Sequence, residues 1–122
     1  MSELYIGTDL VDITRIKKLI DKYNTKFLDK IFSIEEQKYC NSKAFPEIHY
    51  AGRFAAKEAI IKAIKSSRVN EPPIDFNSIV ILNKSDGAPY VKLDKIHKCS
   101  IKISISHTDT HAISFAIYIL NK

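Results

Sequence analysis

Two acidic residues occupy positions where a carboxylate is unusual and where it could hold a metal ion. Asp9 lies in the middle of IGTDLVDITRI, an apolar run that predicts a β-strand, and a carboxylate there costs stability unless it is paired. Glu58 follows Phe54 and precedes Lys62 at intervals of four, so the three share one face of a predicted helix. Simpler interpretations stay open on these segments alone. Asp9 could lie at an exposed strand end or cap a helix, and Glu58 and Lys62 could form an exposed pair.

Basic residues surround Glu58 in the same predicted helix. Arg53 and Lys57 form a basic line beside it, which we expect to lie at the surface. A carboxylate among several cations is an odd design for a plain surface, but it suits a metal ion together with phosphate groups.

A further candidate group lies near the end of the chain, in SISHTDTH. His107 falls where a predicted strand meets its turn, a frequent place for functional side chains, and Ser106 and Thr108 put hydroxyl groups around it. His107 and His111 could suggest zinc, but no cysteine or carboxylate set completes a tetrahedral site. A turn histidine without a chemical role is the alternative.

The turn NKSDGAP offers a place where backbone could approach a ligand. Gly87 permits such an approach and Pro89 stiffens the exit from the turn, although by itself this is an ordinary hairpin turn. The chain has neither a P-loop nor a G-x-G-x-x-G fingerprint, so nucleotide binding by those folds is unsupported.

The composition bounds the class of protein. A chain of 122 residues predicts one domain spanning 1–122, and 45% hydrophobic with 27% charged residues is ordinary for a globular protein. The net charge of +5 suggests a negatively charged partner, which could be nucleic acid, a membrane surface, a polyphosphate ligand or an acidic protein. No apolar run is long enough to span a bilayer and no signal peptide is recognisable, so we expect a cytoplasmic location with Cys40 and Cys99 as free thiols.

Hydrophobic periodicity predicts an α+β fold in which antiparallel strands pack against a long helix. Asp12 is the predicted N-cap of the first helix, and SIEE at Ser33 fits a capping box for the second. The predicted elements are a strand at about 3–11, helices at about 12–23, 33–41 and 46–65, and hairpins at about 78–93 and 101–119.

Three signatures in a fixed order resemble those of one known family. They are G-x-D within IGTDLVDITRI, F-x-x-K-E-x-x-x-K as FAAKEAIIK, and S-x-S-H as SISH. Over essentially its whole length the chain resembles the holo-[acyl-carrier-protein] synthases, the small bacterial class of 4′-phosphopantetheinyl transferases. Each motif is weak alone, but their order, the chain length and the GRFAAKEA block make the set specific.

The resemblance implies a magnesium-dependent reaction that moves the phosphopantetheine arm of coenzyme A to a serine of apo acyl carrier protein, leaving adenosine 3′,5′-bisphosphate. In this family the G-x-D aspartate and the K-E glutamate bind Mg²⁺, which implies Asp9 and Glu58 as ligands. Lys62 would offset charge on the leaving phosphate, and Glu58 or a water held by the metal would accept the serine proton. Pairing with a metal would explain why a strand tolerates Asp9.

The resemblance also implies the contacts of both substrates and the assembly. Active sites would lie between neighbouring subunits of a homotrimer, so that Asp9 and Glu58 of one chain meet the His107 or Gly87 region of another, with the last hairpin lining the interface. Neither nucleic acid nor membrane is implied as a partner. The implied coenzyme A contacts are Arg53, Lys62, Gly87, Pro89, Ser106, His107 and Thr108, and the implied carrier contacts are Arg15, Lys18 and Lys22.

Two other functions remain as alternatives. A basic nucleic-acid-binding module without catalysis would explain the charge, but the late strands lack the aromatic pairs of an RNA-binding sheet. A catalytically inactive interaction protein is the second alternative. Thr8 and Asp12 depart from the family pattern beside the metal positions and leave the preferred carrier open.

Overall fold

The protein forms five strands and four α-helices in the part of the chain that the structure, a computed structural model, describes: residues 2–67, 74–93 and 99–121. The α+β architecture and its long helix are as predicted. The elements are β1 (Ser2–Asp12), α1 (Ile13–Tyr23), α2 (Thr25–Ile31), α3 (Ile34–Asn41), α4 (Pro46–Ser66), a 3₁₀ turn (Phe76–Ser78), β2 (Val80–Asn83), β3 (Pro89–Lys92), β4 (Cys99–His107) and β5 (His111–Asn121).

Local sequence accounts for most of these boundaries. The Asp12 carboxylate accepts hydrogen bonds from the backbone N–H groups of Thr14 and Arg15, at 2.9 and 3.3 Å, and so caps α1 as predicted. Ser33 and Glu36 form the predicted reciprocal capping box of α3. Helix α2 has no counterpart in the sequence prediction: it is seven residues long, and no side chain caps its N-terminus at Asn24.

The three-stranded sheet has the order β1-β5-β4, with both pairs antiparallel, and β2 and β3 form a separate hairpin. Helix α4 lies across one face of the larger sheet. The close approach depends on small residues, because a Cβ at Gly7 would lie 2.0 Å from the Ala59 carbonyl oxygen and 2.8 Å from the Ala63 nitrogen. The glycine of the G-x-D signature is therefore a packing requirement, and the alanines of α4 permit the contact as predicted.

On β1 and β5, the face of the sheet that α4 covers is the less aliphatic one. Ala112, Ser114, Ala116 and Tyr118 of β5 are buried against the helix, while the alternate residues of the same strand point away. The uncovered face of these two strands, which is aliphatic, therefore stays open within a single chain. Its most exposed large residues are Leu4, Ile6, Leu10, Ile113 and Phe115.

Lys57 joins four segments inside the protein. Its Nζ, which is fully buried, contacts the Glu36 carboxylate at 2.7 Å and the backbone carbonyls of Ile31, Phe76 and Ile79 at 2.7–2.8 Å. Burial lowers the pKa of the lysine, and the Glu36 charge opposes this shift. The expected basic surface line is therefore wrong, since Lys57 and Arg53 are both buried.

Glu36 is held from its other sides as well. Its two carboxylate oxygens accept hydrogen bonds from the backbone N–H groups of Ser33, at 2.9 Å, and Ile81, at 3.0 Å. The Lys57–Glu36 pair thus ties α4 to the start of α3, the end of α2 and strand β2.

Two further sequence expectations concern membranes and thiols. Among the described helices, none combines the length and the apolar character that crossing a lipid bilayer requires. Cys40 is a buried free thiol, as expected, and burial raises its pKa to about 12, which keeps it protonated. The side chain of Cys99 lies outside the described part of the chain.

Loss of Lys57 should be far more costly than loss of a surface ion pair. Lys57→Met leaves the buried Glu36 carboxylate without its cation, so we expect the free energy of unfolding to fall by about 3–5 kcal/mol. The measurement is the urea unfolding midpoint at a fixed protein concentration.

The matched control is Lys17→Met. Lys17 pairs with Asp21 at 3.2 Å on the surface of α1, and its loss should cost less than about 1 kcal/mol. Equal destabilisation by the two substitutions would contradict the role of the Lys57–Glu36 pair.

Candidate active site

Strand β1, helix α1 and helix α4 enclose a cleft of about 300 Å³. It brings together residues from both of the early signatures, although they lie far apart in the chain. The residues relevant to its chemistry are Asp9, Asp12, Arg15, Phe54 and Glu58.

Asp9 is paired with a cation in this cleft. The Lys62 ammonium lies 3.0 Å from the Asp9 Oδ1 atom and 3.0 Å from the backbone carbonyl oxygen of Thr8. The Asp9 side chain is 17% exposed, whereas that of Lys62 is 54% exposed. The strand therefore tolerates Asp9 because its carboxylate has a partner, and that partner reaches it from solvent.

Glu58 completes a pair of acids at the cleft. It is half-buried, and it lies on α4 one helical turn before Lys62. Two carboxylates suit Mg²⁺, because this ion keeps several waters and takes substrate phosphates as further ligands. Within the described ranges no group of three or more His, Cys, Asp or Glu residues could hold a metal ion, so a metal here would depend on these two acids and on ligands from outside the chain.

Helix α1 brings a basic surface to the cleft mouth. Arg15 is exposed and lines the cleft, and Lys18 and Lys22 follow it at helical spacing along the outside of α1. The Lys22 ammonium lies 5.2 Å from the centre of the Tyr23 ring. The three predicted carrier contacts therefore form one exposed basic row that begins at the cleft.

Arg53 belongs to a second cleft, of about 420 Å³, between α3, α4 and the β2–β3 hairpin. Its guanidinium stacks on the Tyr39 ring at 4.1 Å and donates a hydrogen bond from Nη2 to the Asn83 side chain. Its buried Nε has no hydrogen-bond partner in the described structure. The guanidinium supplies a fixed positive charge to the wall of this cleft, which is suited to an anionic ligand.

The predicted turn lies next to this second cleft. Gly87 has φ = 91°, a backbone conformation that strains residues with a side chain, although a Cβ there would meet no neighbouring atom. The backbone conformation of the turn therefore favours glycine. The Asn83 side chain donates a hydrogen bond to the Gly87 carbonyl at 2.9 Å and thus connects the turn to Arg53. Pro89 begins β3 opposite Asn83.

His107 is exposed at the end of β4, and its Nδ1 lies 3.3 Å from the Thr108 carbonyl oxygen. The Thr108 hydroxyl accepts hydrogen bonds from the Thr110 and His111 backbone N–H groups, so it shapes the turn. Ser106 lies on the opposite face of β4, beside Ile113. Ser106 and His107 therefore point to different sides of the sheet.

The end of β4 lies against α4 beside Arg53, because a Cβ at Gly52 would lie 3.0 Å from the Ile105 side chain, and His107 is on the same face of β4 as Ile105. Burial and the positive charges of Arg53 and Lys43 lower the pKa of His49. His49 and Arg53 are one helical turn apart. Glu58 is five residues after Arg53, about 140° further round the helix.

The predicted site residues thus fall into two groups on two sides of α4. The first contains Asp9, Glu58, Lys62 and Arg15, and the second contains Arg53, Gly87, Pro89 and His107. In the described residues no hydrogen bond or ion pair links the two groups within one chain.

Sequence reasoning missed several residues of the second cleft. Tyr39, Asn83, Lys84 and Tyr90 line it with Arg53, but they belong to three elements and form no motif. The one available signal was Asn83 at the end of a predicted strand, directly before the turn.

Comparison with known proteins identifies the family of this chain. Residues 5–116 match the model of the 4′-phosphopantetheinyl transferase superfamily. A holo-[acyl-carrier-protein] synthase of Thermodesulfovibrio yellowstonii is 42% identical over 112 residues, which cover 92% of this chain and 95% of that protein. The corresponding enzyme of Protochlamydia amoebophila is 38% identical over 120 residues, with 94% and 97% covered.

Solved structures are similar throughout the chain. The ACPS–CoA complex of Chronobacterium ammoniagenes has a TM-score of 0.85 at 25% identity and covers 98% of this chain and 99% of that one. The Helicobacter pylori holo-[acyl-carrier-protein] synthase in complex with coenzyme A has a TM-score of 0.79 at 32% identity, with 93% and 98% covered. The motifs, the fold and these relatives agree, and the chain belongs to the 4′-phosphopantetheinyl transferase superfamily.

Proposed function

We propose that this protein is a holo-[acyl-carrier-protein] synthase, which transfers the 4′-phosphopantetheine group of coenzyme A to a serine of apo acyl carrier protein. The observation that carries the proposal is the cleft that Asp9 and Glu58 both line, with Lys62 paired to Asp9, in a chain whose relatives bear that name over nearly their whole length. Solved relatives hold coenzyme A.

The reaction is a displacement at phosphorus. The serine oxygen forms a bond to the phosphorus that carries the pantetheine arm, and the bond from this phosphorus to the bridging oxygen breaks. Adenosine 3′,5′-bisphosphate leaves with the electron pair, and the serine proton goes to a base. The protein lowers the barrier by aligning the hydroxyl and by balancing charge on the phosphates.

Residues of the first cleft supply the reaction centre in this proposal. Asp9 and Glu58 would hold Mg²⁺, which when bound neutralises phosphate charge and orients the phosphates. Lys62 carries a half-exposed ammonium on a long side chain, so it can reach a phosphate oxygen and balance charge there. Glu58, or a water held by the metal, would accept the serine proton.

Residues of the second group would bind the rest of coenzyme A. Arg53 offers a cation in the wall of the second cleft, and Gly87 and Pro89 shape a turn beside it. His107 adds a further polar group on the same side of α4, with Ser106 and Thr108 next to it in the chain. Arg15, Lys18 and Lys22 would meet the acidic carrier protein.

The separation of the two groups favours active sites between subunits. We infer a homotrimer in which the first group of one chain faces the second group of its neighbour, because either group alone lacks half of the predicted contacts. The open aliphatic face of the sheet, with Leu4, Ile6 and Phe115, supplies apolar area for such an interface. A cytoplasmic location, where apo carrier protein and coenzyme A occur together, belongs to the same proposal.

The activity test is a mass measurement on the carrier. Incubation with apo carrier protein, coenzyme A and Mg²⁺ should raise the carrier mass by one phosphopantetheine group. Asp9→Asn and Glu58→Gln should each lower turnover by about 100-fold or more, because each removes a charge aimed at the reacting phosphates. Omission of Mg²⁺ should have a comparable effect.

The control for these variants is Glu35→Gln, at an exposed acid on α3 outside both clefts, which should keep wild-type turnover. Circular dichroism should show all three variants folded. An unmodified carrier under conditions where a known synthase works would rule out the activity, and full turnover by both cleft variants would rule out the assignment of the site.

Charge reversal on α1 should affect the two substrates differently. Arg15→Glu places a like charge against the acidic carrier, so we expect the carrier KM to rise by about tenfold while the coenzyme A KM changes much less. Steady-state kinetics at two ionic strengths measures this, since the wild-type preference should weaken with salt. The control is Lys38→Glu, which makes an equal charge change at an exposed residue of α3. Equal rises in both KM values would argue against docking at Arg15.

The trimer proposal predicts a selective effect of charge on the sheet face. Phe115→Glu should split the assembly and abolish turnover, because burying a carboxylate in an apolar interface is costly. Phe45→Glu alters an equally apolar exposed residue that lies outside the sheet and should leave the trimer intact. Light scattering coupled to gel filtration gives the mass, and a monomeric wild-type enzyme that is fully active would refute the shared site.

A further inference from the structure

Lys62 contacts one of the two carboxylates to which the proposed function assigns a metal ion. Its ammonium contacts the Asp9 carboxylate and the Thr8 carbonyl, each at 3.0 Å. Both are oxygen ligands of the kind that a hard divalent cation uses. The lysine is therefore a resident cation at the metal-binding carboxylate.

The ammonium and a divalent ion cannot share this position without cost. Mg²⁺ binds carboxylate oxygens at about 2.0–2.1 Å, so an ammonium on the same carboxylate would be held only a few ångströms from it. Two cations at such a distance repel each other strongly. Binding of either one at Asp9 therefore disfavours the other.

The lysine can leave without a change in the fold. Its side chain is 54% exposed, and the two contacts at its tip are the only polar contacts of Nζ within the described structure. Four rotatable bonds let the ammonium move several ångströms while α4 stays fixed. Lys57, five residues earlier, has no such freedom.

We propose that Lys62 is the built-in counter-ion of Asp9, and that a divalent metal displaces it and so delivers its ammonium to the phosphates of coenzyme A. The inference rests on the proposed function. It makes Lys62 a determinant of metal affinity as well as of charge balance. Because linkage is reciprocal, a pyrophosphate that draws Lys62 away from Asp9 also tightens metal binding.

The first test measures metal binding rather than turnover. Mn²⁺ affinity of the full chain, followed by electron paramagnetic resonance without coenzyme A, should be about twofold to fivefold tighter in Lys62→Met than in the wild type, because one competing exposed ion pair is gone. Arg15→Met removes the same charge from the same cleft without removing a contact to Asp9, and its effect should be clearly smaller. A Lys62→Met protein that binds Mn²⁺ no more tightly than Arg15→Met overturns the inference.

The second test follows the lysine itself. Acetylation of Lys62, read by peptide mass spectrometry, should increase when Mg²⁺ is added to the wild type and should be high and insensitive to Mg²⁺ in Asp9→Asn. Lys17 is an internal control, because it is 56% exposed and is paired at 3.2 Å with Asp21, which is not one of the proposed metal ligands. Equal responses of Lys62 and Lys17 to Mg²⁺ would overturn displacement.

The two tests separate this inference from the proposed function. If the protein modifies its carrier but shows neither the affinity difference nor the change in acetylation, only the counter-ion role of Lys62 is refuted. If the protein fails to modify the carrier, the proposed function itself is refuted.

Discussion

The buried contact between Lys57 and Glu36 is the constraint on which the site depends. Helix α4 carries residues of both clefts, so their positions follow from how this helix is rotated about its axis. Lys57 fixes that rotation, because its ammonium must meet a carboxylate and three carbonyls that come from α2, α3 and the segment before β2. Once Lys57 points into these groups, helical geometry turns Glu58 toward β1.

A second constraint fixes the distance of α4 from the sheet. Gly7 lies under Ala59 and Ala63 so closely that no side chain fits between them. Asp9, two residues later on the same face of β1, is thereby brought to the level of Glu58 and Lys62. The glycine and the aspartate of one short signature thus have different tasks, since the first sets the packing that gives the second its neighbours.

Local interactions could be predicted from the sequence, and long-range ones could not. The Asp12 cap and the Ser33–Glu36 capping box involve residues within three positions of each other, so their spacing was sufficient evidence. The partners of Lys57 lie 19 to 26 residues away, and no periodicity indicates them. For the same reason Lys57 and Arg53 resembled surface cations. Alternation in β5 distinguished two faces but not which of them α4 would cover, because that depends on how closely the helix can approach.

Lys57 and Lys62 lie on the same helix but differ in burial, and this difference gives one a structural role and leaves the other available for chemistry. Lys57 is enclosed and bound to four oxygens, so the role of its charge is to hold the fold together. Lys62 is half exposed and holds Asp9 through a pair that water can compete for, which is worth at most about 1 kcal/mol. Such a weak pair is sufficient to make a strand carboxylate tolerable, and it is weak enough for a metal ion or a phosphate to replace. The proposed site at Asp9 therefore requires an exposed Lys62, because a buried ammonium could not move away from the carboxylate without leaving a buried charge unpaired.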